Sequence, residues 1–182
     1  MKTIGILALQ GDFEAHARAV ERAGGQAIEV RTATDMDQSD GLILPGGEST
    51  TMLKILREEN LFDALKNFPR PMFGTCAGAI LLAKEVSNPQ QESLGLMDIA
   101  VERNAYGRQL DSRVTHIDVD GKDMEAVFIR APIIRRVGAP AKTLATYNGD
   151  PVLVEEGRFL VATFHPEMTS DDRIHKRFLA KL

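Results

Sequence analysis

The stretch Pro71-Met72-Phe73-Gly74-Thr75-Cys76-Ala77-Gly78-Ala79-Ile80-Leu81-Leu82 constrains this chain more than any other. A short apolar run leads into G-x-C-x-G and then into residues that favour a helix, the strand–turn–helix spacing of a nucleophile elbow. Glycine belongs on both sides of Cys76 because the turn is tight, and a Cβ at either flank would clash with the crossing backbone. Such a turn lifts the sulfur clear of a sheet and leaves the first N–H groups of the helix, Ala77 among them, without partners. Those donors suit a developing oxyanion, and the positive helix end suits a thiolate. A lone cysteine is also a common buried structural residue, so the elbow alone leaves both readings open.

Apolar, β-branched runs recur ahead of the elbow. Residues 3–9 read as a strand covered on both faces, and 27–30 and 41–44 as a second and a third strand. Asp12 is expected to cap a helix over 13–23 that Gly24-Gly25 stops, and Ser49 or Thr50 to cap one over 52–59. Residues 60–67 read as a further short helix, 80–84 as the elbow helix and 87–91 as a polar loop. Strands alternating with helices call for a parallel sheet with right-handed crossovers.

Beyond residue 91 the helical period disappears. Residues 99–103, 114–119 and 126–129 read as strands, and 143–147 with 152–155 as a hairpin about Asn148-Gly149-Asp150-Pro151. This portion is expected to extend the sheet in antiparallel or mixed fashion. Residues 158–164 return to a buried strand, and Asp171 caps a last helix over 172–182. The expected architecture is one domain over residues 1–182, a three-layer α/β sandwich with a flavodoxin-like, mostly parallel sheet and an antiparallel extension.

Composition narrows the function classes. A net charge of −4 without a long basic run argues against nucleic-acid and anionic-membrane partners. No apolar stretch reaches membrane-spanning length. One cysteine allows no intrachain disulfide and fits a reducing compartment, so the expected location is cytoplasmic.

His165-Pro166-Glu167 bears on what Cys76 does. Proline holds its predecessor extended, and extended i and i+2 side chains leave one face. Glu167 could then bond one imidazole nitrogen and turn the other toward a thiol, the base-and-orienter arrangement of a nucleophilic triad. With the elbow, this favours catalysis over a structural cysteine. His16 and His175 lie on helices among charged residues and read as solvated surface groups, and His116 as a half-buried strand residue. None makes a metal site with Cys76, because no close ligand pair exists. Pro45-Gly46-Gly47, directly after a strand, can aim backbone N–H groups at a ligand. It lacks the lysine of a phosphate loop.

G-T-C-A-G with a distal H-P-E resembles the class I, or triad, glutamine amidotransferases. Leu44 to Thr51 (L-P-G-G-E-S-T-T), Val101 to Gln109 (V-E-R-N-A-Y-G-R-Q), Phe128 to Pro132 (F-I-R-A-P) and Leu7 to Gly11 (L-A-L-Q-G) narrow the likeness to the branch that feeds pyridoxal 5′-phosphate synthesis. The resemblance implies Cys76 as nucleophile, His165 as base and acid, and Glu167 as its orienter. It implies L-glutamine as substrate, held by Gly46, Gly47, Glu48, Ala77, Arg103, Ile129 and Arg130, with no metal or cofactor. It also implies a (β/α)8-barrel synthase partner in a large hetero-oligomer. The residues themselves admit two other readings. One is a different cysteine-elbow enzyme of γ-glutamyl hydrolase or peptidase type. The other is a non-catalytic flavodoxin-like module with Cys76 as redox sensor, which leaves His165 and Glu167 unexplained.

Overall fold

The computed structural model describes residues 1–105 and 112–182. Residues 106–109 of the quoted V-E-R-N-A-Y-G-R-Q stretch lie outside them. In chain order the first elements are β1 (Thr3–Leu7), α1 (Phe13–Arg22), β2 (Gln26–Val30), α2 (Ala33–Asp37), β3 (Gly41–Leu44), α3 (Ser49–Glu58) and α4 (Phe62–Lys66). The elbow is β4 (Met72–Thr75) and α5 (Ala77–Leu82), followed by β5 (Ala83–Ser87), β6 (Met97–Glu102), β7 (Ser112–Val119) and β8 (Lys122–Ile129). Then come β9 (Ile133–Val137), β10 (Lys142–Tyr147), β11 (Asp150–Glu156), β12 (Phe159–Ala162), a 3₁₀ turn (Pro166–Met168) and α6 (Arg173–Leu179).

Seven strands form the main sheet in the order β10-β11-β12-β4-β3-β1-β2. The pairings from β2 to β12 are parallel, and β11 and β10 continue the sheet antiparallel. Side chains alternate between two apolar layers, as the pleat requires. Leu42, Leu44, Met72 and Val161 face α3, α4 and α5 through Met52, Leu56, Leu65 and Ile80. Ile43, Phe73, Leu160 and Ala162 face α1 and α6 through Val20, Ile174 and Phe178. A sheet buried on both faces explains the continuous rather than alternating hydrophobicity of its strands. The expected mostly parallel α/β sheet with an antiparallel extension is therefore present.

Three local expectations change. The strands over 97–102, 112–119 and 122–129 do not extend the main sheet. They form a three-stranded sheet, β5-β6-β9, packed on the α3–α5 side and a hairpin, β7-β8, on the α1–α6 side. Ala83 and Lys84 leave the elbow helix for β5, so that helix ends at Leu82. Helix α3 is capped by Glu48, whose side chain accepts from the Thr51 N–H, and Ser49 is already helical.

Candidate active site

Cys76 stands between β4 and α5 with φ +50° and ψ −106°, a backbone conformation that residues with a Cβ rarely adopt. Its N–H donates to the Ala162 carbonyl at 2.9 Å, and its carbonyl accepts from Ile80 N–H at 3.2 Å. The glycines beside it are steric necessities. A Cβ on Gly74 would lie 2.5 Å from the Gly78 carbonyl oxygen, and one on Gly78 would overlap the Leu44 carbonyl. The residue is only 8% exposed, less than the elbow alone led us to expect, although it lines an open cleft.

His165 arrives on the adjacent strand. β12 runs parallel to β4 with Ala162 beside Thr75, so the chain leaving β12 passes directly over the elbow. The His165 N–H is tied to the Val127 carbonyl at 2.8 Å. Its side chain lines the cleft together with Cys76, and Nδ1 lies 2.6 Å from Glu167 Oε1. Glu167 reaches it differently from the expected extended geometry. Pro166 opens a 3₁₀ turn, and that turn swings the carboxylate back under the ring. Burial opposes a charge on His165, but hydrogen bonds and opposite charge from Cys76 and Glu167 outweigh it and raise its pKa to about 10. The surroundings thereby favour the imidazolium form of the ring. Gly46 backs it so closely that a Cβ there would sit 2.5 Å from His165 Cε1.

Glu48, Arg103, Ile129, Arg130 and Gly47 line the cleft with Cys76 and His165, and Ser49, Ile80 and Asn104 complete its wall. Gly46 and Ala77 lie just behind the lining, Ala77 buried at the first position of α5. The Gly46 carbonyl packs on Gly11, so in the planar trans peptide the Gly47 N–H faces away from Gly11. Gln10 accepts from the Glu48 N–H at 2.9 Å and fixes this loop. Some burial raises the Glu48 pKa, but hydrogen bonds from Thr51 and the charge of Arg103 lower it further, so it stays a carboxylate. Arg130 holds a left-handed backbone, φ +44°, at the cleft wall. No group of three or more His, Cys, Asp or Glu side chains among the described residues could hold a metal ion.

The histidines set aside as surface groups are the largest correction. His16 and His175 are 0% and 1% exposed. His16 Nδ1 lies 3.0 Å from His175 Nε2, and His16 Nε2 lies 3.0 Å from Thr75 Oγ1 and 3.4 Å from Glu167 Oε2. Helical spacing carried the signal. His16 shares a face with Ala19 and Val20, and His175 with Phe178, all buried, so charged neighbours at other angles were the wrong guide. His116 departs the other way, with an exposed side chain paired to Asp123 at 2.7 Å.

A family model described as the SNO glutamine amidotransferase family matches residues 6–182. The chain is 60% identical to the pyridoxal 5′-phosphate synthase subunit PdxT of Solibacter usitatus, over the full length of both chains. It is 51% identical to the PdxT subunit of Thermotoga maritima, covering 97% of each. Among solved structures, a glutamine amidotransferase superposes with TM-score 0.91 at 45% identity, covering 97% of each chain. PurLQS from Thermotoga maritima reaches TM-score 0.64 at 16% identity, covering 99% of each chain, which speaks for the fold alone.

Proposed function

This chain belongs to the SNO glutamine amidotransferase family, and from that premise we propose how its cleft works. The protein hydrolyses the side-chain amide of L-glutamine and supplies the ammonia for pyridoxal 5′-phosphate synthesis. In the reading we favour, the Cys76 thiolate adds to the carboxamide carbon and the N–H groups of Ala77 and the Gly46-Gly47 loop receive the oxyanion. His165, protonated in the resting pair, gives its proton to the departing nitrogen, and ammonia leaves a γ-glutamyl thioester. His165 then takes a proton from water, the hydroxide adds to the thioester, and collapse releases glutamate and the thiolate. Glu167 holds the imidazole in the orientation both half-reactions need. On this reading Glu48 meets the α-ammonium of glutamine, and Arg103 or Arg130 its α-carboxylate.

The observation that carries this reading is His165 held at 2.6 Å by Glu167 in the cleft that it lines with Cys76, Glu48 and Arg103. No helix among the described residues is long and apolar enough to cross a membrane. The PdxT relatives are named as synthase subunits, which supports a synthase partner. We take that partner to be a (β/α)8 barrel joined in a large cytoplasmic hetero-oligomer. The test is to supply glutamine and hydroxylamine to the complex with the synthase partner. Any thioester at Cys76 is intercepted as γ-glutamyl hydroxamate, and Cys76→Ala makes neither hydroxamate nor glutamate. Glutamate release by a folded Cys76→Ala protein overturns the assignment.

A further inference from the structure

Glu167 has two carboxylate oxygens and the mechanism uses one. Oε1 accepts from His165, while Oε2 is buried without a hydrogen-bond partner. The polar group facing Oε2 is His16 Nε2, at 3.4 Å, and both side chains are essentially closed to solvent. A buried carboxylate oxygen left without a donor is costly, so what His16 offers it matters.

Two neutral tautomers of His16 are available. With the proton on Nδ1, an imidazole lone pair would face the carboxylate. With the proton on Nε2, the N–H is directed at Thr75 Oγ1 and turns the positive edge of the ring toward Glu167 Oε2, 3.4 Å away, and Nδ1 is free to accept from the Nε2–H of His175 at 3.0 Å. His175 Nδ1, which has no partner, then carries no proton that needs one. Electrostatics and hydrogen-bond satisfaction choose the same tautomer. Burial, then the neighbouring His175, hold His16 below its ordinary pKa and so keep it neutral.

We propose that His16 is a positioning residue for the glutaminase reaction, its Nε2–H supporting the second oxygen of Glu167, with His175 fixing the tautomer that makes this possible. The order of contacts is His175 to His16 to Glu167, met from the other side by His165. The His16 contact is long at rest and shortens as Glu167 takes up the full imidazolium charge, a tightening common once a reactive complex forms. His16 also holds the hydroxyl of Thr75, the residue before the nucleophile. Helix α1 is thereby linked to both halves of the site without touching substrate.

This inference rests on the roles given above to Cys76, His165 and Glu167. It is tested in the complex with the synthase partner by His16→Leu, which lacks a donor, and His16→Gln, whose amide N–H can reach the Nε2 position. His16→Leu is expected to lower kcat roughly ten- to a hundredfold with KM for glutamine little changed, the effect of losing one buried hydrogen bond to a charged group. His16→Gln restores most of that rate. A second readout is the pH profile of Cys76 alkylation by iodoacetamide, followed by mass spectrometry of the peptide carrying it. A less supported Glu167 stabilises the imidazolium less, and the thiolate with it, so the alkylation midpoint moves to higher pH in His16→Leu. Loss of folded protein alone would lower amplitude and leave the midpoint in place. If His16→Leu does not fold, His175→Leu carries the test, with the same direction in both readouts. Unchanged kcat and midpoint, or a Gln variant as impaired as the Leu variant, overturns the proposal while Cys76→Ala stays inactive. An active Cys76→Ala overturns the site reading and this inference together.

Discussion

Arg103 Nη2 and Glu48 Oε1 lie 3.3 Å apart at the cleft wall, each the partner of the other where a zwitterionic substrate would present one charge to each. Glutamine binding, on this view, replaces a protein ion pair with two protein–ligand ones. Glu48 has a second duty, because its Oε2 accepts from the Thr51 N–H and caps α3. Glu48→Gln keeps an acceptor for that cap and removes the charge. We expect KM for glutamine to rise about tenfold with kcat nearly constant, the loss of one charge-assisted contact. Steady-state kinetics decide it, since a fall in kcat at unchanged KM would place Glu48 outside ground-state binding.

The backbone at Cys76 supplies a second expectation. Its φ of +50° is held with a Cβ present, a strain of about 1–3 kcal/mol. Cys76→Ala removes the sulfur and keeps the strain, whereas Cys76→Gly removes both. Both are expected to be inactive, and the Gly variant to be the more stable by roughly 1 kcal/mol after the added freedom of its unfolded chain. Denaturant midpoints of the two proteins compare them directly. A Gly variant less stable than the Ala variant would mean the elbow is not strained.

Glu167→Gln preserves shape and loses charge beside His165. The rate should fall by up to about 10⁴-fold, as in other orienting carboxylates, with glutamine affinity retained. A variant with wild-type kcat would show that another group orients the imidazole.

Acid should destabilise this protein through its two closed histidines. Burial is the main cause in both, holding His16 well below 6.5 and His175 at about 4. In the unfolded chain both take a proton near pH 6.5, so between there and pH 4 the unfolded state binds more protons and stability falls as pH falls. His175 alone accounts for on the order of 3 kcal/mol once the pH is below about 4. His165, raised instead, acts in the window from 6.5 up to about 10 and leaves the acid side untouched. Thermal melts from pH 7 to 5 should show Tm dropping less in His175→Leu than in wild type. Parallel slopes would refute the neutral, buried assignment.

How much could be read beforehand follows from how local each signal is. The strand–turn–helix order of the elbow, the three strands before it and the helix after Asp12 rest on periodicity and turn chemistry within a few residues, and they are present with ends shifted by a few residues. The α3 cap was missed because Ser and Thr precede Glu in capping preference, while here Glu48 also answers Arg103. The sheet that the strands over 97–129 join depends on which apolar face each strand covers, a long-range choice that alternation in Ile117 or Ile99 does not encode, whereas the hairpin of β10 and β11 follows from its local turn. His165 and Glu167 were legible through their proline spacing. Helical spacing marks His16 and His175 as buried, but their partners were not legible, because Thr75 and Glu167 are distant from His16 in sequence.

The neighbouring of β4 and β12 has a consequence for the life of the chain before it is finished. Thr75 lies beside Ala162, yet β5 through β11 are made between them, and β12 must insert between β4 and β11. A polypeptide leaving the ribosome therefore carries its thiol long before it carries a base, and Cys76 also waits for the Ala162 carbonyl that its own N–H requires. Such distant pairings are the slow ones to form. Turnover begins only when the last strand slots into the sheet, so an immature molecule is chemically silent and ammonia production doubles as a reporter of completed folding.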